Sequence, residues 1–149
     1  MEVMEAMLDF LSLCPPLAEL DQRLDFSEES LGWTLYDCGG QLEQVYWDGV
    51  RLRSQNYSLE LRAYCGDAAQ RLENLNTMEE IRSWLLDQNQ PQLLPDLPEG
   101  KVAQSLDCSS GAMGQMEEDG LTAGYHLQLY FSGFFHDDIP PFSILFVIK

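Results

Sequence analysis

Two histidines and four cysteines are the residues of this sequence best suited to chemistry, and their spacing sets what they could do. His126 sits in an alternating run, and His136 opens His136-Asp137-Asp138 ahead of Ile139-Pro140-Pro141. Such a triplet has the composition of a cation site, but neighbours on an extended chain point to opposite sides, so no metal centre is expected there. Cys14, Cys38, Cys65 and Cys108 stand far apart with no Cys-x-x-Cys or Cys-x-x-His spacing, which disfavours zinc. A cysteine nucleophile needs a thiolate beside a base. Cys65 or Cys108 with His126 is the pairing a small hydrolase would use, and no local motif supports it. Gly111-Ala112-Met113-Gly114 has no lysine after it, and no dinucleotide or P-loop motif occurs, so no cofactor is expected. Glu28-Glu29 and Glu117-Glu118-Asp119 read as solvated loop charges. The chain is read as a non-enzyme.

Arginine carries the other chemistry. Arg51, Arg53 and Arg62 are three of only eight basic residues and fall on one long predicted strand. They either pair with carboxylates of their own chain or form ion pairs between subunits, where the guanidinium fork matches a carboxylate.

The elements must position these groups within 149 residues, enough for one domain. A hydrophobic content of 45 % is sufficient for a core. No apolar run approaches the ~18 residues of a membrane-spanning helix. The acidic start, Met1-Glu2-Val3-Met4-Glu5, lacks the basic flank of a secretory signal. The cysteines are therefore expected as free, mostly buried thiols. Against 8 Lys plus Arg stand 25 Asp plus Glu, a net charge of -17. A surface of that sign repels nucleic acid and anionic lipid, which excludes a phosphate-reading protein. It confers solubility, or lets DNA pass without sticking.

Periodicity predicts an α+β domain: a single mixed, mainly antiparallel β-sheet with an N-terminal helix and a central helix pair packed on it. Val3, Met4, Met7, Leu8 and Leu11 have helical spacing, and Pro15-Pro16 is expected to end that helix. A short strand is expected near Leu24-Asp25-Phe26. Strands are predicted over 32–38 and 42–47 with a turn at Gly39-Gly40, and Asp48-Gly49 signals another turn. A long strand runs from Val50 with Leu59, Leu61, Ala63 and Cys65 on one face. Ala68, Ala69, Leu72 and Leu75 suggest a first helical piece. Thr77-Met78-Glu79-Glu80 reads as a capping box opening a second, with a break over 74–76. In the proline-rich stretch 90–100, Leu93, Leu94 and Leu97 are expected to pack down. A strand over 101–108, a flexible hairpin loop over 109–120 and a strand in which Tyr125, Leu127, Leu129 and Phe131 alternate with His126, Gln128, Tyr130 and Ser132 complete the domain. The chain then reaches Phe142, Ile144, Leu145, Phe146, Val147 and Ile148, an almost unbroken apolar run. Residues 136–149 read either as a core strand or as an arm lent to a neighbouring subunit.

Leu52-Arg53, Ala63-Tyr64, Asp67, Gln70, Glu73-Asn74, Glu79-Glu80 and Trp84-Leu85 form a pattern within Trp47 to Phe131 that resembles the small tail-terminator, or minor capsid, proteins encoded in the head-to-tail region of siphophages and prophages of Gram-positive bacteria. Its most specific piece is Leu94-Pro95-Asp96-Leu97-Pro98-Glu99-Gly100-Lys101, and Gly111, Ala123, Tyr125, Leu127 and Gln128 extend it. The helix ending Leu13-Cys14-Pro15 resembles the family's start. Thr77-Met78 stands where the family has an aromatic pair, and the chain runs on past Phe135. The resemblance implies one tail-terminator-like domain over 1–149, assembled as a homohexameric ring that caps the tail tube. The implied partners are further copies of itself, the tail tube protein, the head–tail connector or stopper, and a sheath if the tail contracts. DNA would pass through the ring without specific binding, no membrane would be involved, and the protein would reside in the virion tail neck after assembly in the bacterial host cytoplasm. Another neck or tail-completion protein, or a small acidic cytoplasmic binding module or inhibitor, are the alternatives.

Overall fold

In the computed structural model, residues 2–22, 31–90, 93–95, 97, 100–116 and 120–135 are described. In chain order they form helices α1 (Glu2–Leu11) and α2 (Pro15–Ala18), strands β1 (Gly32–Val45) and β2 (Arg51–Tyr64), helix α3 (Ala68–Asp87), and strands β3 (Lys101–Cys108), β4 (Ala112–Met116) and β5 (Thr122–Phe135). The expected α+β class holds. The sheet is antiparallel in order β1-β2-β5-β3, with β4 pairing β5 beyond the end of β3. Both β2 and β3 oppose β5, so they run parallel to each other and α3 links them with β5 inserted between: a split β-α-β unit.

The period-two pattern places the core. Tyr57, Leu59 and Leu61 of β2 lie opposite Leu129, Leu127 and Tyr125 of β5. All six are buried on the helix side, with Trp33, Leu35 and Leu106 from the flanking strands. Met7, Phe10 and Leu11 of α1, Leu17 of α2 and Met78, Ile81 and Leu85 of α3 close over them. Leu94 and Pro95 are buried and Leu97 packs against the core, so the loop before β3 is pinned to it while Leu93 stays exposed.

Four local expectations change. Helix α1 ends at Leu11, ahead of Pro15-Pro16, and the prolines instead start α2, because proline's missing N–H and fixed φ suit a first helical turn. Gly39-Gly40 is a bulge inside one continuous strand. Gly39 has φ +91°, and a side chain on Gly40 would strike the Ser54 carbonyl, so the glycines let β1 kink without leaving β2. The predicted helix pair is one uninterrupted helix of 20 residues. Asp67 caps it by accepting from the Gln70 amide at 2.8 Å, whereas Thr77 donates back to the Glu73 carbonyl at 3.0 Å. Asn74, at the expected break, instead donates to the Tyr64 carbonyl at 2.7 Å and the Tyr125 hydroxyl at 3.2 Å. Last, part of the predicted hairpin loop is β4. The Ser109 amide donates to the Gln128 carbonyl and the Ser109 hydroxyl accepts from the Gln128 amide, which holds the chain on β5 across the gap between β3 and β4. The strand expected near Leu24 and the apolar run 142–148 lie outside the described residues.

Candidate functional site

The sheet is longer than the helices that cover it. On the helix side the buried rows stop at Leu106 and Phe131. Beyond them lie two further rows. Arg51 sits opposite Val45 on one side and Phe135 on the other, and Phe135 opposes Lys101. Arg53 sits opposite Leu42 and Gly133, and Gly133 opposes Ala103. Facing residues on adjacent strands share a side of the sheet with Cβ atoms about 5 Å apart. This end of the sheet therefore groups Arg51, Arg53 and Lys101 with Leu42, Val45 and Phe135. The Lys101 ammonium lies 6.0 Å from the Phe135 ring centroid. Arg51 and Arg53 have no side-chain ion pair or hydrogen bond among the described residues. Leu42 is 47 % exposed, Val45 55 %, and Trp47, in the turn from β1 to β2, 93 %.

That turn is rigid for its own reasons. The Tyr46 amide donates to the Val50 carbonyl at 2.8 Å, and Asp48 accepts from the Val50 amide at 3.2 Å. On the opposite face of the sheet, Val50 and Phe134 are buried together with Leu52, Val102 and Tyr46 packed around them. Tyr46 and Phe134 meet at 6.1 Å between ring centroids. The small second core holds the open end in shape and leaves Trp47 outside it.

A second surface faces solvent from the helices. A groove of about 600 Å³ runs between Pro15-Pro16 and α3, lined by Glu79, Glu80, Trp84 and Asp87 among others. Its Trp84 ring packs against Phe10 at 5.2 Å. An adjoining concavity of about 370 Å³ shares Pro15, Pro16 and Glu80 and adds Glu19, Glu73 and Arg62. Leu72 and Leu75, read as an apolar stripe, are exposed on α3, whose buried side chains are Met78, Ile81 and Leu85.

The arginine set predicted from sequence thus divides. Arg51 and Arg53 share the open end, but Arg62 lies opposite Gly32 and Gly124 at the other end of β2, and the third cation of the cluster is Lys101. Sequence reasoning missed Lys101 because its place beside Phe135 depends on pairing between distant strands. Arg62 also has an interaction of its own. The hydrolase pairing is not assembled either. Cys108 lies opposite inward Leu129, whereas His126 is an odd number of residues away on β5 and so on the other face. Burial pushes the Cys108 thiol up to about 11, which opposes thiolate formation. No group of three or more His, Cys, Asp or Glu that could hold a metal occurs among the described residues, and no described helix is long and apolar enough to cross a membrane. No family model matches this chain, and no curated protein does.

Proposed function

We propose that the chain is a structural subunit of a phage tail or tail-like particle, a hexameric terminator ring that caps the tail tube, stops its polymerisation and joins it to the head connector. The observation that carries this reading is the open end of the sheet. Large apolar side chains stand there on a rigid frame with two arginines that have no ion pair among the described residues, and Trp and Arg are enriched at protein interfaces. The segment most specific to the resemblance fits it too: Leu94, Pro95 and Leu97 pin the passage from α3 to Lys101, which begins β3 and contributes to that end. The acidic composition suits a ring through which DNA slides, since like charges repel at short range. The protein would belong to the tail neck of the virion, after assembly in the host cytoplasm, with the tube protein and the connector or stopper as neighbours, and a sheath in a contractile tail.

The test is mass in solution by light scattering over a range of concentrations, with and without purified tail tubes. Six copies of a 17.0 kDa chain weigh about 102 kDa. A species of that mass, or a monomer that becomes six-fold on tube ends, supports the proposal. A monomer that ignores tubes at every concentration ends it.

A further inference from the structure

We infer that the open end of the sheet docks into the acidic groove between Pro15-Pro16 and α3 of a second copy of this chain, with Trp47 as the inserted side chain and Arg51 and Arg53 meeting Glu79 and Glu80. The inference rests on the ring reading above and assigns the contact that would build the ring.

Three observations support it. The first is charge complementarity within one molecule. In a chain of net charge -17, the open end gathers Arg51, Arg53 and Lys101, whereas the groove carries Glu79, which also pairs with Arg82 at 3.3 Å, together with Glu80 and Asp87. The overall charge makes a nucleic acid an unfavourable occupant of the cationic end, and the chain's own carboxylates are the anions always present at equal concentration.

The second is shape and apolar content. Trp47 projects from a turn that its own hydrogen bonds and the Val50–Phe134 cluster hold fixed, so burying it costs little ordering. The groove is wide enough for an indole, and Pro15, Pro16 and Trp84 give it an apolar lining for that ring. Exposed ion pairs alone hold surfaces together weakly. The aromatic insertion supplies the apolar burial, and the arginines set orientation.

The third is topology. The two surfaces share no residue, so the contact is head to tail. A heterologous contact repeats from copy to copy and closes into a ring when its rotation allows.

The experiment uses full-length variants, each checked for an unchanged melting curve. R51E/R53E and E79K/E80K should each shift the protein from assembly to monomer, alone or on tail tubes. Mixed in equal amounts they should regain the wild-type mass, because an acidic end then faces a basic groove and a basic end an acidic groove around an alternating ring. W47A, an exposed turn substitution that leaves the charges in place, should weaken association at least tenfold. If the wild type assembles and these variants assemble equally well, the inference fails while the ring reading stands. It also fails if both charge variants are monomeric and the mixture remains so. A wild type that never associates, with or without tubes, removes the ring reading itself.

Discussion

Cys38 is the exposed member of the four cysteines, and its place explains why. It precedes the bulge at Gly39-Gly40, where the Asp37 carboxylate accepts from the Gly39 amide at 2.8 Å and from the Gln55 side chain at 2.6 Å. Cys14, Cys65 and Cys108 are buried. Burial raises the Cys14 and Cys108 thiols to about 11. An aromatic disulfide reagent at pH 8 should label one thiol per chain rapidly, and C38S should remove that fast phase. Rapid labelling of three or four thiols would contradict the packing. The same shifts make stability depend on pH. A thiol whose folded pKa lies above its unfolded value near 9 binds its proton more tightly when folded. Its contribution is therefore complete below pH 9 and is lost as pH rises toward 11. Burial pushes the Tyr57 phenol up as well, with the same sign beginning near pH 10. The urea midpoint should stay level to about pH 8.5 and then fall. C14S/C108S should flatten the first part of that fall. At this scale the free, mostly buried thiols were legible from the sequence. Which one is exposed was not, because that depends on a bulge that reads as a turn when its partner strand is unknown.

Helix α3 shows how two local signals compete within one element. Both Asp67 and Thr77 have the chemistry of an N-cap, and Thr77 even has Glu80 at capping-box distance. The structure uses Asp67, whose carboxylate accepts from the Gln70 amide, while the Thr77 hydroxyl bonds back within the helix. Losing a true cap costs about 1 kcal/mol, whereas a mid-helix threonine that back-bonds contributes little. D67A should therefore lower unfolding free energy by about 1 kcal/mol in urea titration, and T77A should change it by less than about 0.5 kcal/mol. The reverse order would restore the two-piece helix. Asn74 adds a tertiary clamp, joining α3 to the end of β2 and to Tyr125. N74A should cost about 1–2 kcal/mol, since it leaves the Tyr64 carbonyl without that donor. Strands β2, β3 and β5 were legible because apolar alternation is a local signal. Strand β4 was not, since Ala112-Met113-Gly114 shows no such alternation and is held by pairing with β5 and by Ser109. The open end fell between: the sequence marked Arg51 and Arg53, but only strand register joins them to Lys101, Phe135 and Val45.

For the molecule as a whole, two features of the sequence bear on how copies meet: its net charge and its apolar terminal run. A net of -17 opposes association at distances where charge acts unscreened, about 8 Å at physiological salt. The cationic end is too small to reverse that for a polyanion, because nucleic-acid affinity grows with the number of phosphates neutralised. Duplex DNA should therefore run unretarded with this protein in a gel-shift assay at physiological salt, and a salt-sensitive complex there would show that the cationic end reads phosphate. The run Phe142 to Ile148 has the opposite tendency, since an apolar, β-branched segment adds readily to an unpaired strand edge. Among the described residues, the core that joins sheet and helices runs from Met7 to Phe131, and the second cluster ends at Phe134. If that tendency makes the run an arm, removing residues 140–149 should leave a domain that melts cooperatively near the wild-type temperature while lowering the assembled fraction seen by light scattering. The two readouts separate the two roles of the run. Loss of cooperative melting would make it a core strand, whereas intact melting with weaker assembly would make it an arm working alongside the head-to-tail contact. Unchanged melting and unchanged assembly would leave that contact sufficient by itself.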